Sequence, residues 1–286
     1  MTDCYLAVDV GSSKLSAAVV GDHGELLVRD RVPTPARDVW PALVRLTKRV
    51  LAAAPSRPQA CGVGVGGPID RIARTVSPLH VPSLHDVRLA EQFEELTGLP
   101  TTVDLNAKAV ALGEAWRGAA VGEPNLIAVV MGASVSGGIM LGGRLIDGRV
   151  GNAGNIGHVI VEQGGRPCAC GALGCLEAYC GGAALESETG RPPQRAPQAI
   201  VERTGIYVGR ALASVGAVCD LRLAVIGGAV ALGFGEPFFA AVQAELDQRA
   251  RLDFTSGFRV VPAVLGHGAP LIGAAALARR GLATAR

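Results

Sequence analysis

The chain has 286 residues, 49% apolar and 18% charged, a globular balance that excludes intrinsic disorder and allows one large or two medium domains. A net charge of +2 gives no electrostatic reason to expect nucleic acid or a membrane surface as partner, and aromatic residues at 4% leave little for base stacking. Glycine, 39 residues without a collagen-like period, should mark tight turns and close backbone approaches to a ligand.

The amino terminus carries Asp3 and Asp9 and no basic residue before Lys14, which does not fit a secretory leader, so the product is expected in the cytoplasm. Residues 5–28 read as an apolar strand, a Gly-Ser turn, a second strand, a glycine turn and a third strand. Trp40 to Ala54 has the spacing of an amphipathic helix, and Ala60 to Val65 is a short strand entering Gly66-Gly67-Pro68. Phe93 to Thr97 closes a helix ahead of Gly98, Thr101 to Val103 is a strand, and Leu105 to Arg117 places Leu105, Ala109, Leu112 and Trp116 at helical spacing. Leu126 to Gly143 is uncharged and long enough to cross a membrane, but its five glycines, with Ser134 and Ser136, suit strand-turn-strand better. Ser187 to Pro197, rich in Pro, Arg and Gln, reads as a mobile loop. A helix over Ile206 to Val218 precedes the buried strand Leu223 to Ile226, ended by Gly227-Gly228, and an Ala-rich helix spans Leu271 to Arg280.

Residues 126–146 repeat the order and spacing of residues 5–28. The repeat implies two α/β domains related by duplication, each with its own phosphate-sized loop, and ligands near strand ends. The boundaries expected are 1–114 and 115–270, with 271–286 packing back on the first domain.

Three groups of residues carry chemistry. At Asp9-Val10-Gly11-Ser12-Ser13-Lys14 a carboxylate at a strand end is followed by small residues whose N–H groups can approach a phosphate. This is not a Walker A loop, and alone it is also what a hairpin opening on Asp looks like. Of the seven cysteines, Cys4, Cys61 and Cys219 sit singly in apolar segments and read as core, while Cys168, Cys170, Cys175 and Cys180 cluster. His158 in Gly-Asn-Ile-Gly-His, with Cys168, Cys170 and Cys175, supplies one imidazole and three thiolates, a closed tetrahedral set suited to a structural zinc. Such a site would fix the direction of Glu177, two residues beyond; Cys180 is a rival ligand. Asp104 follows a strand and opens a helix, where the dipole keeps it ionised and able to accept a proton. Its position alone equally suits a helix N-cap.

Taken together, the duplication, Gly66-Gly67-Pro68-Ile69-Asp70, the Asp104 segment and the cysteine cluster resemble the ROK family of bacterial sugar kinases and related repressors, within the actin-like ATPase fold. Cys168-Ala-Cys170-Gly-Ala-Leu-Gly174-Cys175-Leu-Glu177 matches the family's C-x-C-G-x-x-G-C-x-E throughout. The resemblance implies two ribonuclease H-like domains, ATP with Mg²⁺, a structural zinc that excludes Cys180, and a homodimer. Val103-Asp104-Leu105-Asn106-Ala107 stands where the kinases have Asn-Asp-x-Asn-Ala, which makes Asp104 the general base for the attacking sugar hydroxyl. The same resemblance puts Gly67, Val103, Asn155, His158 and Glu177 at the sugar. It puts Asp9, Gly11, Ser12, Ser13, Lys14, Gly132, Ala133, Ser134, Gly227 and Gly228 at the nucleotide.

Four departures stand out. Val103 replaces the Asn that would hydrogen-bond the sugar, and Asn155 replaces the Glu of the family's G-E-I-G-H. Each lost contact is typically worth about 1–3 kcal/mol when its partner is left buried. Gly132-Ala133-Ser134 replaces Gly-Thr-Gly, and Ser12 replaces a second Gly in the first turn, which would weaken nucleotide binding. The leading expectation is an ATP-dependent kinase of a hexose or hexose-like polyol. The alternative is a catalytically silent sugar-binding or regulatory protein. The repressor branch would need a helix-turn-helix ahead of the first strand, for which a strand beginning near Tyr5 leaves no room.

Overall fold

The computed structural model describes residues 3–284, which fall into two units: unit 1 runs to Gly118 and adds Asp147–Ala153 and the residues from His267 on, and unit 2 takes Ala119–Ile146 and Gly154–Gly266. In unit 1, β1 (Cys4–Val10), β2 (Lys14–Gly21) and β3 (Leu26–Pro33) form an antiparallel meander followed by helix α1 (Val39–Ala52). Then come β4 (Cys61–Val65), a small hairpin of β5 (Ile69–Asp70) and β6 (Thr75–Val76), helix α2 (Leu89–Thr97), β7 (Thr101–Leu105) and helix α3 (Asn106–Arg117). The sheet order is β3-β2-β1-β4-β7, with β1, β4 and β7 parallel. Every residue of β1 and β4 is buried, which is why these segments read as continuous apolar runs, while β3 at the edge alternates. Val39, Leu43, Leu46 and Val50 of α1 fill one face of the sheet against Leu6, Val8, Leu15 and Val19.

Unit 2 repeats the plan with β8 (Leu126–Met131), β9 (Val135–Leu141) and β10 (Arg144–Leu145), then helices α4 (Glu177–Cys180), α5 (Gly182–Thr189) and α6 (Gln198–Cys219). After them come β11 (Leu223–Gly227), α7 (Ala229–Phe234), α8 (Glu236–Arg249) and β12 (Arg259–Pro262). Its sheet order, β10-β9-β8-β11-β12, again joins an antiparallel meander to parallel strands. The repeat seen at 5–28 and 126–146 therefore extends to whole sheets. Helix α9 (Ala269–Thr284) returns to unit 1, where Leu271, Ala274, Ala275 and Ala278 pack on Tyr5, Ala7, Ala18 and Val20. No helix among the described residues is long and apolar enough to cross a membrane, and Leu126 to Gly143 is β8, a turn and β9.

Three expectations change. The segment Asp147–Ala153, expected with the second domain, belongs to unit 1, where Lys108 and Ile69 bind it. Helix α6 starts eight residues before Ile206, because buried Val201 and Thr204 continue its apolar face. Ser187 to Pro197 is not simply a loop: it begins in the last turn of α5 and includes a 3₁₀ turn at Pro193–Arg195. Glu188 anchors it through paired hydrogen bonds from Arg166 and from Arg203.

Candidate active site

In unit 1 the parallel strands end together, the place where α/β sheets bind ligands. Asp9 of β1 pairs in register with Gly64 of β4, and Gly64 with Asp104 of β7, so the three residues lie side by side on one face. Asp9 is only 5% exposed, and its carboxylate accepts no hydrogen bond among the described residues. Burial, partly offset by Lys14, pushes its carboxyl up to about 6. A buried carboxylate without a protein partner is costly, and it suits a cation or the water around one. The following turn keeps Ser12 and Ser13 exposed. Its shape is set by Gly11 N donating to Lys14 O at 3.1 Å and by Thr34, whose hydroxyl donates to Gly11 O at 2.7 Å. Sequence reasoning missed Thr34, which lies 23 residues away and belongs to no motif.

Asp104 lies at the strand-to-helix junction, as expected, but on the strand side of it. Strand β7 continues to Leu105, which occupies the N-cap position of α3 without a side-chain capping bond, so Asp104 belongs to the strand and does not cap the helix. Its carboxylate is 1% exposed. Oδ1 accepts from Leu105 N at 2.8 Å and from Lys108 Nζ at 2.9 Å, and Arg280 lies 3.9 Å from Oδ2. Lys108, fully buried, also pairs with Asp147 Oδ1 at 2.9 Å and donates to Gly151 O at 3.0 Å. Arg71 and Arg280 complete the shell of Asp147. Desolvation raises the Asp147 carboxyl, but hydrogen bonds from Lys108 and Arg280 outweigh it and hold the group at about 2. The contacts of Asp104 engage Oδ1, while Oδ2 of this carboxylate, expected to receive a sugar proton, accepts no hydrogen bond among the described residues.

The other unit 1 positions are mixed. Val103 packs against the core and lines a cavity of about 180 Å³ with Ile69, Arg71 and Thr101. Gly67 faces Leu105: a Cβ on Gly67 would lie 3.0 Å from Leu105 Cδ2. Asn152 clamps the adjoining strand through Ile69 N to Oδ1 at 2.9 Å and Nδ2 to Ile69 O at 2.8 Å.

Unit 2 gathers the second turn. Gly132 N donates to Ser134 O at 2.9 Å, Gly182 N to Gly132 O at 2.8 Å, and Ala183 N to Ala133 O at 3.1 Å. Glu177 Oε2 accepts from Val135 N at 2.9 Å, so this carboxylate, expected beside sugar hydroxyls, braces the turn. Gly228 has φ 94°, and a Cβ there would lie 2.2 Å from Met131 O, which draws Gly227-Gly228 against the end of β8. Asn155 is exposed and precedes a 3₁₀ turn, Ile156–His158. Gly157 in that turn cannot carry a side chain, since its Cβ would lie 2.1 Å from Val135 O.

The ligand atoms of His158, Cys168, Cys170 and Cys175 lie within 4.8 Å of one another. Zn–S bonds of about 2.3 Å and Zn–N bonds of about 2.0–2.1 Å give a tetrahedron with edges of roughly 3.5–3.8 Å. Cys170 Sγ to Cys175 Sγ and Cys168 Sγ to His158 Nδ1, both 3.7 Å, are edges of that size, so the donor set and its spacing fit zinc. The loop is otherwise held by few bonds, among them Cys168 N to Ala172 O at 2.8 Å and Gly174 N to Arg166 O at 2.8 Å. Cys180 lies outside the cluster, buried, with its thiol 3.8 Å from Thr204 O. Arg166 ties the loop to α5 through Glu188, and its N–H donates to the Tyr179 hydroxyl at 2.8 Å. Neither Arg166 nor Glu188 carries a motif that a sequence reading could find.

Comparison with known proteins agrees with this arrangement. The model of the ROK family matches residues 5–281. An N-acetylmannosamine kinase of Escherichia fergusonii is 30% identical over 293 residues, covering 96% of this chain and 98% of that protein. The crystal structure of a ROK hexokinase from Thermus thermophilus superposes with a TM-score of 0.87 at 33% identity, covering 98% of this chain and 99% of that one. A ROK glucokinase from Streptomyces griseus, solved with glucose and AMPPNP, gives 0.81 at 28% identity, covering 97% and 99%. The duplicated sheets are thus those of the actin-like ATPase fold. With a family match over nearly its whole length and the Cys-His cluster in place, the chain belongs to the ROK family.

Proposed function

We propose that this ROK-family sugar kinase transfers the γ-phosphate of ATP to a hydroxyl of a hexose or an N-acylated hexosamine. The observation that carries the reading is Asp9: a buried carboxylate without a protein partner, beside an exposed Ser12-Ser13 turn. The names of the relatives, N-acetylmannosamine kinase and hexokinase, supply the acceptor class.

In phosphoryl transfer the protein's contribution is mostly positioning and charge neutralisation. Mg²⁺ bound with the nucleotide would neutralise phosphate charge, and Asp9 is the residue whose burial and missing partner fit it. The backbone of Ser12 and Ser13 orients phosphate oxygens, while Thr34 keeps that turn from relaxing. In unit 2, Glu177 and the Gly182 and Ala183 N–H groups keep the Gly132-Ala133-Ser134 turn rigid for the same purpose. Zinc on His158, Cys168, Cys170 and Cys175 would have no open position, so its role is to fix the loop ahead of Glu177. Asp104, its Oδ1 held by Leu105 N–H and Lys108 and its Oδ2 without a hydrogen bond among the described residues, is the group proposed to take the proton of the attacking hydroxyl.

The test is ADP release from ATP by zinc-loaded protein across hexoses and N-acetylhexosamines. Turnover with at least one acceptor, lost in Asp9→Asn, is expected; no turnover with any would overturn the reading. The Ala133-Ser134 substitution favours a second reading, a sugar-binding member without catalysis. It would bind sugar in calorimetry and never release ADP.

A further inference from the structure

The two oxygens of the Asp104 carboxylate have different surroundings. Oδ1 accepts from Leu105 N and from Lys108 Nζ. Oδ2 accepts nothing among the described residues, and Arg280 Nη1 at 3.9 Å is beyond hydrogen-bond distance. Asp104 is 1% exposed, and Oδ2 is unpaired without being sealed from solvent. Lys108 has no exposed surface, and its ammonium meets three acceptors: Asp104 Oδ1 and Asp147 Oδ1 at 2.9 Å each, and Gly151 O at 3.0 Å. An ammonium has three N–H donors, so each is spent on a fixed partner and none is left for a ligand. Asp147 and Gly151 lie on a segment that is itself held in place. Arg71 and Arg280 pair with Asp147, Asn152 clamps Ile69, and a Cβ on Gly151 would lie 2.8 Å from both Arg71 Cγ and Ile69 Cδ1.

We propose that Lys108 is a positioning residue for phosphoryl transfer: anchored on Asp147 and Gly151, it holds Oδ1 of Asp104 so that Oδ2 alone is presented to the attacking hydroxyl. The proposal rests on the sugar kinase reading, with Asp104 as the group that takes the proton. In the step, the hydroxyl oxygen forms its bond to the γ-phosphorus and the bond from that phosphorus to the β,γ-bridging oxygen breaks. ADP departs with that electron pair, and the hydroxyl proton passes to Oδ2, from which water takes it once the product has left. The torsion that turns a carboxylate is broad, so an unheld Asp104 would offer either oxygen over a range of directions. Turning it here breaks two hydrogen bonds to Oδ1, one of them from a charged donor. Lys108 touches no substrate and acts only through Asp104. A misplacement of about 1 Å at a reacting group can cost on the order of 10²-fold, so loosening Oδ1 should appear in kcat rather than in sugar affinity.

The test is a double-mutant cycle on kcat for ADP release, run on zinc-loaded protein shown to be folded by circular dichroism. Lys108→Met is expected to lower kcat at least about tenfold while the sugar Kd, from calorimetry, stays within about threefold. Asp104→Asn should lower kcat at least about a hundredfold, the lower end of what a positioned general base contributes. In the Asp104→Asn background Lys108→Met should then cost less than about twofold, because no proton acceptor remains to be aimed. Losses that multiply across the cycle, or a folded Lys108→Met whose kcat stays within about threefold of the parent, would overturn the inference and leave Lys108 a structural partner alone. If Lys108→Met does not fold, Lys108→Gln takes its place under the same two criteria, since its shorter, uncharged side chain cannot span Asp104 and Asp147 together. A parent that releases no ADP with any acceptor would instead overturn the kinase reading, so the two failures are distinguishable.

Discussion

Lys108, with no exposed surface, bridges Asp104 and Asp147 at 2.9 Å each, and so joins strand β7 to the segment Asp147–Ala153. That segment carries Asn152, which holds the strand following Gly66-Gly67-Pro68. One buried ammonium thus fixes two neighbours of the site.

Removing one member of a buried ion pair typically costs about 3–5 kcal/mol, because the remaining charge is left without compensation. Lys108→Ala leaves Asp104 with Arg280 at 3.9 Å, while Asp147 keeps Arg71 and Arg280, so a loss of that order, centred on Asp104, is expected in urea denaturation. Lys108→Met, which fills the volume but supplies no charge, should fare little better. A variant as stable as the parent would show that Asp104 finds another partner, Arg280 being the nearest remaining cation.

Zinc should be recovered at one equivalent per chain from protein purified without chelator. Cys170→Ser is expected to lose the metal and at least ~3 kcal/mol of stability together, since metal binding to thiolates is coupled to folding. Elemental analysis with thermal denaturation checks both, and a metal-free protein of unchanged stability would contradict the tetrahedral site.

Asp9 gives a pH signature of opposite sign to an ordinary ion pair. Its folded carboxyl lies at about 6 against 3.8 in the ordinary case, so its contribution to stability is fully present below about pH 4 and is lost as pH rises through 6. At pH 8 the buried charge costs on the order of 3 kcal/mol, at 1.36 kcal/mol per pKa unit. Asp9→Asn should therefore stabilise the ligand-free protein at pH 8, leave it unchanged near pH 4, and weaken Mg²⁺-dependent ATP binding. Destabilisation at both pH values would mean that Asp9 is a structural hydrogen-bond acceptor.

Glu188 acts in the other direction. Hydrogen bonds from Arg166 and Arg203 hold its carboxyl far below the usual range, against some desolvation. Its contribution is present above about pH 4.5 and is lost as pH falls toward the depressed value. Glu188→Gln should flatten the acid side of the stability–pH curve, measured by thermal melts, and leave the alkaline side alone.

The sequence made much of this molecule legible because its signals were local. The repeat at 5–28 and 126–146 follows from strands with apolar residues at close spacing, and the cysteines lie within eight residues of one another. Asp104 was harder, since the strand-to-helix boundary decides which way it points and two residues of error move it from a helix tip to a buried strand position. The Thr34–Gly11, Glu188–Arg203 and Lys108–Asp147 bonds span 15 to 39 residues, a distance at which periodicity carries no information.

The most direct measurement is mass spectrometry of a mixture of glucose, mannose, N-acetylglucosamine and N-acetylmannosamine, incubated with zinc-loaded protein, ATP and Mg²⁺. Phosphorylated product from at least one of them, at a rate that vanishes in Asp9→Asn, is the expected result. An unphosphorylated pool with the parent protein, its zinc retained, would contradict the assignment of this chain as a sugar kinase.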